Sequence, residues 1–305
     1  MTETTGATEA TGATEATEPR VERFANATAF LEAAGPFLGE REAEHNLMFG
    51  ICANLTADPG FPTAPPYLAA VRHGDRVAAA AVMTPPWNLV LSCTADPAAI
   101  GALVAHLGAS GSTIPGVTGP IDEVRALAEL WCGLRGLVSR LAVAERIYRL
   151  ERVVPPTGVP GRVRLATAED RDLLVEWVDA FLVEALERRS LEEAAILVDR
   201  SFRAGTRTWY LWEDGGRPVS VAASAGPTPN GIRIGPVYTP RELRRHGYAS
   251  AVTAAASQAE LDHGRRFVFL FTDLSNPTSN KIYQQIGYEP VIDVDQIAFV
   301  PADPA

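Results

Sequence analysis

Two stretches of the chain concentrate residue types that can do chemistry. The first, VYTPRELRRHGYAS (residues 237–250), sets Arg241, Arg244, Arg245 and His246 just ahead of Gly247, Tyr248 and Ala249. The N–H groups of a first helical turn lack internal partners, and the helix dipole adds partial positive charge there. Gly247 and Ala249 leave that backbone open, and Arg244 and Arg245 add full charges suited to phosphate oxygens. The order strand, loop, Arg-x-x-Gly-x-Ala, helix suits a pyrophosphate, although it is neither a Walker loop nor GxGxxG. A basic loop with a glycine for its turn reads the same way, and this stretch alone does not separate the two. The second stretch, LSNPTSNKIYQQIGYEP (274–290), places Asn276, Asn280 and Tyr283 at i, i+4 and i+7, on one helix face. Two amides and a phenol can grip a polar cofactor, and the phenol can give a proton to a departing thiolate. A surface helix with a half-buried tyrosine is the plainer alternative.

The elements that must position these residues are legible from local signals. Ahead of the first stretch, IRIGPVYT reads as a strand interrupted by Gly235-Pro236, a pair that suggests a bulge or a splayed strand. A helix runs from about Gly247, RFVFLFT is a strand, and Asn276-Pro277 caps and starts the next helix, which Gly287 ends. Further upstream, TWYLWED, GG and RPVSVAASAG form a hairpin behind two amphipathic helices, EDRDLLVEWVDAFLVEAL and LEEAAILVDRSFRAG.

The first half of the chain repeats this order. Helical patterning is expected from about residue 20, through ATAFLEAAGPFL and REAEHNLMFGICANL. The strands PYLAAVR and RVAAAAVMT then join through a tight turn, NLVLS is a third strand, and Asp96-Pro97 opens a helix. IDEVRALAELWCGLRG is a further helix with Gly136 beyond its end, and RLAVAERIYRLERV reads as one or two strands. The hairpin turn RHGDR (72–76) matches EDGGR (213–217) at an offset of roughly 140 residues. VVPPTGVPG (153–161) is the best boundary. The expected organisation is a low-complexity disordered tail at 1–19, a first domain at 20–154, a linker at 155–160 and a second domain at 161–305. The fold class is α/β (mixed α+β), each unit a mixed, mostly antiparallel sheet flanked by helices.

Composition narrows the function classes. The chain has 305 residues and a formal charge of −10, which disfavours nucleic acid, where a basic face supplies most of the affinity. No apolar run approaches the ~20 residues of a membrane span, and the N-terminus lacks a signal-peptide pattern. Cys52, Cys93 and Cys132 lie far apart without a CxxC pair, so neither a disulfide framework nor a metal site is expected, and the cytoplasm is the expected compartment. Oligomeric state is not readable.

Together, residues 237–250 and FTDLSNPTSNKIYQQIGYEP (271–290) resemble the N-acetyltransferase (GNAT) superfamily, over about 162–300. The resemblance implies that two parallel strands, here 232–238 and 266–272, splay apart to admit the pantetheine arm of acetyl-CoA. The backbone of Val237 and Thr239, with Tyr238 between them, would meet its amides. Arg244, Arg245, His246, Gly247, Tyr248 and Ala249 would hold the pyrophosphate. Asn276 and Asn280 would touch the cofactor arm, and Tyr283 would stand beside the sulfur as general acid. The implied reaction is direct transfer of an acetyl group to a primary amine of a small molecule or peptide, with no metal. No general base is assigned: the strand at 232–234 reads Ile-Arg-Ile, the candidates Asp273 and Glu213 read better as solvated or capping carboxylates, and a water chain serves equally well.

The first half lacks these features. Its LSCTADPAAIGAL has no arginine pair and carries Asp96, which would repel phosphate, and its last helix has no Asn/Tyr stripe. It reads as a degenerate copy without a cofactor site, packing against the other half and shaping the acceptor pocket, with His45 and Asn46 as possible lining. Two alternatives stand beside the amine acetyltransferase: an acyl-CoA-binding or sensing protein without turnover, and a mycothiol-synthase-like acyltransferase.

Overall fold

The structure, a computed structural model, describes residues 18–58, 64–94, 96–186 and 190–302, with only the backbone described at 185 and 186. The expected disordered tail therefore lies, but for residues 18 and 19, outside the described residues. The first half runs β1 (Arg20–Arg23), α1 (Ala27–Gly39), α2 (Asn46–Ala57), β2 (Tyr67–His73), β3 (Arg76–Met83), β4 (Leu89–Leu91), α3 (Pro97–Ala109), β5 (Gly116–Pro120), α4 (Ile121–Arg135) and β6 (Leu137–Leu150). The second half repeats it: β7 (Arg162–Leu165), α5 (Arg171–Leu186), α6 (Leu191–Ala204), β8 (Arg207–Asp214), β9 (Arg217–Ala225), β10 (Gly231–Tyr238), α7 (Tyr248–Asp262), β11 (Phe267–Asp273), α8 (Pro277–Gln285) and β12 (Glu289–Pro301).

Local chemistry sets most of these boundaries. Asn26, Asp96, Ser190 and Asn276 accept backbone N–H bonds at their helix starts, and Gly136 and Gly205 end α4 and α6 in left-handed conformation. Helical patterning from residue 20 was the expectation, yet residues 20–23 form a strand against β2, from Arg20↔Arg72 to Arg23↔Ala69. Four residues are too short for periodicity to identify, and the open edge of β2 decides the outcome.

All strands join one sheet in the order β1-β2-β3-β4-β5-β12-β6-β11-β10-β9-β8-β7. Its pairs are antiparallel except β4–β5 and β10–β11, so the sheet is mixed and mostly antiparallel. The order contains an exchange. β6, the last strand of the first half, pairs with β11 of the second half, and β12 pairs with β5 of the first. The two exchanged strands also pair with each other from Glu289↔Arg149 to Pro301↔Leu137.

Helices cover both faces, which is why β2 and β3 read as nearly unbroken apolar runs. Residues Tyr67, Ala69 and Val71 pack under α3 and α4, while Leu68, Ala70 and Val82 pack under α1 and α2. In the second half α7 packs on Tyr148, Ile234 and Leu270, and α5 and α6 pack on Trp209, Leu211 and Ala223. Arg125 of α4 bonds Asp295, Asp293 bonds Arg146, and Tyr148 bonds Asn280 of α8. Alternation along β12 and β6 thus puts α4 and α8 on one face. The irregular segment 153–161 leaves β6 beside Ile286 and reaches Trp212, whose Nε1 donates to Pro160 O at 2.8 Å.

Candidate active site

The site begins where two parallel strands part. β10 and β11 pair only at Gly231↔Phe267, Ile232↔Val268 and Arg233↔Phe269. Beyond that point β10 follows β9, with a register shift between Ile234 and Val237 that holds Gly235-Pro236, while β11 stays with β6 as far as Asp273↔Glu145. Proline removes a ladder donor and glycine a packing side chain, so the expected splay is present with its local cause. At the strand end Thr239 is pinned: its Oγ1 lies 2.8 Å from Ser220 Oγ, and its carbonyl accepts from Arg244 Nε at 2.9 Å.

The β10–α7 loop ends at an uncapped helix start. Gly247, at φ 83°, is the N-cap residue and supplies no side chain, and the first bond into the helix is Ala251 N–H to Gly247 O. Among the described residues, the backbone N–H groups of 245–250 have no acceptor. A Cβ at Gly247 would lie 2.8 Å from Val159 Cγ2, so this position needs glycine for both space and φ. Arg245 holds φ 70°, is exposed, and has no carboxylate partner among the described residues. Arg244 is engaged: its Nη2 donates to Glu184 Oε2 at 2.6 Å, and Arg241 Nε donates to the other oxygen at 3.0 Å. Burial works to raise the Glu184 carboxyl, but the bonds from Arg244 and Arg241 outweigh it and hold the group below its ordinary range. His246 stacks on Tyr248 at 5.4 Å. The Tyr248 hydroxyl turns away to Asp214 Oδ2 at 2.5 Å, so at the helix start Tyr248 offers only backbone.

Of the expected stripe on α8, the two amides are committed to structure. Asn276 Oδ1 caps its own helix through Ser279 N–H at 3.0 Å. Asn280 donates to the carbonyls of Asp273 (2.9 Å) and Asn276 (2.8 Å) and accepts from the Tyr148 hydroxyl (3.0 Å). These bonds clamp α8 to the end of β11. Tyr283 is half-buried, edge-on to Tyr288 at 6.0 Å, and its hydroxyl has no hydrogen-bond partner among the described residues. Burial pushes this phenol up to about 12, so it stays protonated at neutral pH.

Three charged residues here escaped the sequence reading. Glu145 lies on β6, cross-strand from Asp273 of β11. Burial raises its carboxyl; the Gln296 amide, donating at 2.6 Å, opposes this, Asp273 adds to it, and Arg233 opposes it. Arg233 of β10 reaches Asn46 Oδ1 of α2 at 3.4 Å, and Arg207 of β8 donates to the carbonyl of Gly235 in the bulge. Glu145 had one visible signal, a lone charge on the Val143-x-Glu145-x-Ile147 face, but nothing local says which strand lies beside it. The two carboxylates considered from sequence have structural work. Asp273 Oδ1 accepts from Ser275 N–H at 2.7 Å, and Glu213 accepts from Arg164 Nε at 2.6 Å. His45 is an internal staple, bonded to Leu38 O (2.9 Å) and to Cys93 N–H (3.1 Å), with its pKa lowered by burial.

The corresponding region of the first half is shut. Asp96 caps α3 through Ala98 N–H at 3.0 Å and bonds His73 Nδ1 at 2.7 Å. Thr94 N–H is taken by Glu123 at 2.9 Å. β4 and β5 pair at Leu89↔Val117 and Val90↔Thr118, and a Cβ at Gly119 of β5 would lie 2.5 Å from Leu91 O of β4. Among the described residues no His/Cys/Asp/Glu group could hold a metal, and no helix is long and apolar enough to cross a membrane.

Known proteins resemble this chain in sequence profile and in fold. The profile of the acetyltransferase (GNAT) family matches residues 171–288, from the start of α5 to just short of β12. No curated protein matches the sequence. Among solved structures, a Drosophila protein is similar with a TM-score of 0.65 at 14% identity, over 92% of this chain and 98% of its own. A GCN5-related N-acetyltransferase from Sphaerobacter thermophilus gives 0.59 at 16%, over 94% and 98%. A tandem GNAT protein from the clavulanic acid biosynthesis pathway gives 0.54 at 15%, over 94% and 100%. At these identities the likeness is one of fold, and its coverage takes in both halves.

Proposed function

We propose, for a chain whose C-terminal half belongs to the acetyltransferase (GNAT) family and whose N-terminal half repeats that fold, an N-acetyltransferase acting between acetyl-CoA and a primary amine of a small molecule or peptide. The observation that carries this reading is the parting of β10 and β11 directly ahead of an uncapped α7. The N–H groups at 245–250 and the Arg245 guanidinium, without a carboxylate partner among the described residues, fit a pyrophosphate, with His246, Gly247 and Ala249 beside it and Tyr248 contributing backbone. Arg244 joins on release from Glu184. The β10 backbone at Val237, Tyr238 and Thr239 lines the arm that runs into the splay. Asn276 and Asn280 flank that arm and hold α8, and hence Tyr283, in place.

Acetyl-CoA supplies the acyl group as a thioester. The amine nitrogen bonds to the acyl carbon, the carbon–sulfur bond breaks, and the sulfur takes the proton of Tyr283. The ammonium loses one proton to solvent before attack; the second, released as the carbon–nitrogen bond forms, goes to Glu145, directly or through water, and solvent exchange resets Glu145 and Tyr283. An ordinary amine is mostly protonated at pH 7, so a carboxylate with a raised pKa in a desolvated site is a suitable acceptor.

The test is thiol release from acetyl-CoA across a panel of amines, for wild type and Tyr283→Phe. Loss of the phenol should lower kcat by about 100-fold while coenzyme A affinity stays within roughly twofold. Tight acetyl-CoA binding with no amine turned over would replace this reading with an acyl-CoA-binding protein.

A further inference from the structure

We infer that the acceptor amine carries an anionic group, a carboxylate or a phosphate, and that Arg207 and Arg233 receive it at the mouth of the splay. This rests on the acetyltransferase reading and names the substrate class of that site.

The two guanidinium groups are conspicuous for what they lack. Other partly buried arginines of this acidic chain find carboxylates: Arg164 with Asp170 and Glu213, Arg146 with Asp293, and Arg200 with Asp58. Arg207 and Arg233 have none within ion-pair distance among the described residues. Their hydrogen bonds go to neutral oxygens, the Gly235 carbonyl and the Asn46 amide. Their remaining contacts are aromatic faces, Trp209 at 5.4 Å and Phe271 at 5.7 Å. Burial pulls both groups down to about 10, and for Arg207 the cations Arg233 and Arg200 add to that. Glu145 opposes this at Arg233, from beyond ion-pair distance. Two neighbouring desolvated cations with no ion-paired carboxylate among the described residues are unfavourable in a resting fold, and an incoming anion relieves that cost. Part of each side chain stays accessible, so a ligand can reach them.

Their location fits an acceptor. Arg233 is the last β10 residue paired with β11, and Arg207 grips the bulge just beyond. α2 of the first half closes one side: Asn46 meets Arg233, and a Cβ at Gly50 would lie 2.9 Å from Gly226 Cα. The acids that face Arg233 are Glu145 and, next to it, Asp273, on β6 and β11. The charge around the splay is therefore divided, cationic at Arg207 and Arg233 and acidic at Glu145 and Asp273. That division orients a molecule bearing an anion at one end and an amine at the other.

The experiment compares amines in sets: an amino acid, its uncharged amide and methyl ester, an aminoalkyl phosphate, and a plain alkylamine. kcat/KM is read by thiol release for wild type, Arg207→Gln, Arg233→Gln and the double variant. Thermal shift with each amine alone gives a second readout that needs no turnover. The anionic amines should exceed their neutral isosteres by at least about 10-fold, mainly through KM. Each single variant should shrink that ratio, the double variant should abolish it, and coenzyme A affinity should hold. Preference for carboxylate over phosphate, or the reverse, identifies the anion. If no amine is turned over, the transfer reading fails, and the inference stands only if anionic amines still raise the melting temperature of wild type and not of the double variant. Equal use of charged and neutral amines, or a preference that survives the double variant, overturns it.

Discussion

α3 and α7 occupy the same place in the two halves of this molecule and end differently. At α3 the first N–H groups meet the Asp96 carboxylate, itself held by His73. At α7 the capping position is glycine, the N–H groups are open, and the strands beneath have parted. A helix start has a fixed set of orphan donors, and a fold can satisfy them with its own side chain or leave them to a ligand. One half took each course. The closed half nevertheless supplies β6, and so Glu145, to the open one, along with Asn46 against Arg233.

That contribution gives the largest expected effect. Glu145→Gln should lower kcat by about 100- to 10,000-fold, with little change in coenzyme A affinity. Burial raises the Glu145 carboxyl, so its base form accumulates only as pH climbs past the usual carboxylate range. The wild-type rate should rise with pH through that region, and the variant should lose this limb. Glu145→Asp should restore part of the rate. A pH–rate profile unchanged in the glutamine variant would return the first half to a packing role.

The contrast also marks what sequence can disclose. Helix starts at Asp96-Pro97 and Asn276-Pro277, stops at Gly136 and Gly205, the two hairpins and the Gly235-Pro236 interruption are local, and each carried its signal. Short strands did not: β1 has four residues, and β5 is GVTGP, with glycine and proline in three of its five positions. The exchange of β6 and β12 is decided by which sheet edge is open, a non-local matter that no residue pattern within those strands reports. The site divides in the same way. The basic loop and the α8 tyrosine are contiguous motifs, whereas Glu145, Arg207 and Arg233 come from three strands and meet only through register. Even within the motif, the commitment of Asn280 to Tyr148 and of Arg244 to Glu184 depends on partners 132 and 60 residues away.

A smaller effect follows from giving α7 what α3 has. Arg245→Asp puts a carboxylate beside the open N–H groups, and aspartate tolerates the left-handed conformation at φ 70°. Coenzyme A affinity should fall by about 30- to 100-fold, roughly 2–3 kcal/mol, from loss of a charge-assisted contact and added repulsion. Isothermal titration reads this, and an unchanged melting temperature shows that the fold is intact. Retained affinity would place the pyrophosphate elsewhere.

The smallest effect comes from the reverse exchange. Asp96→Ala removes the α3 cap and should cost about 1 kcal/mol of stability at neutral pH, measured by denaturant unfolding. The bond from His73, followed by that from Ala98 N–H, holds the Asp96 carboxyl below its ordinary range. Its contribution is therefore present above the ordinary carboxylate value and lost as pH falls through the lowered one, so wild type and variant should converge in acid. Opening α3 should still not create a second coenzyme A site. Thr94 N–H remains bonded to Glu123, and the segment from Ser92 to Pro97 carries no arginine. A titration stoichiometry that rose from one to two per chain would show that the cap alone keeps the first half empty.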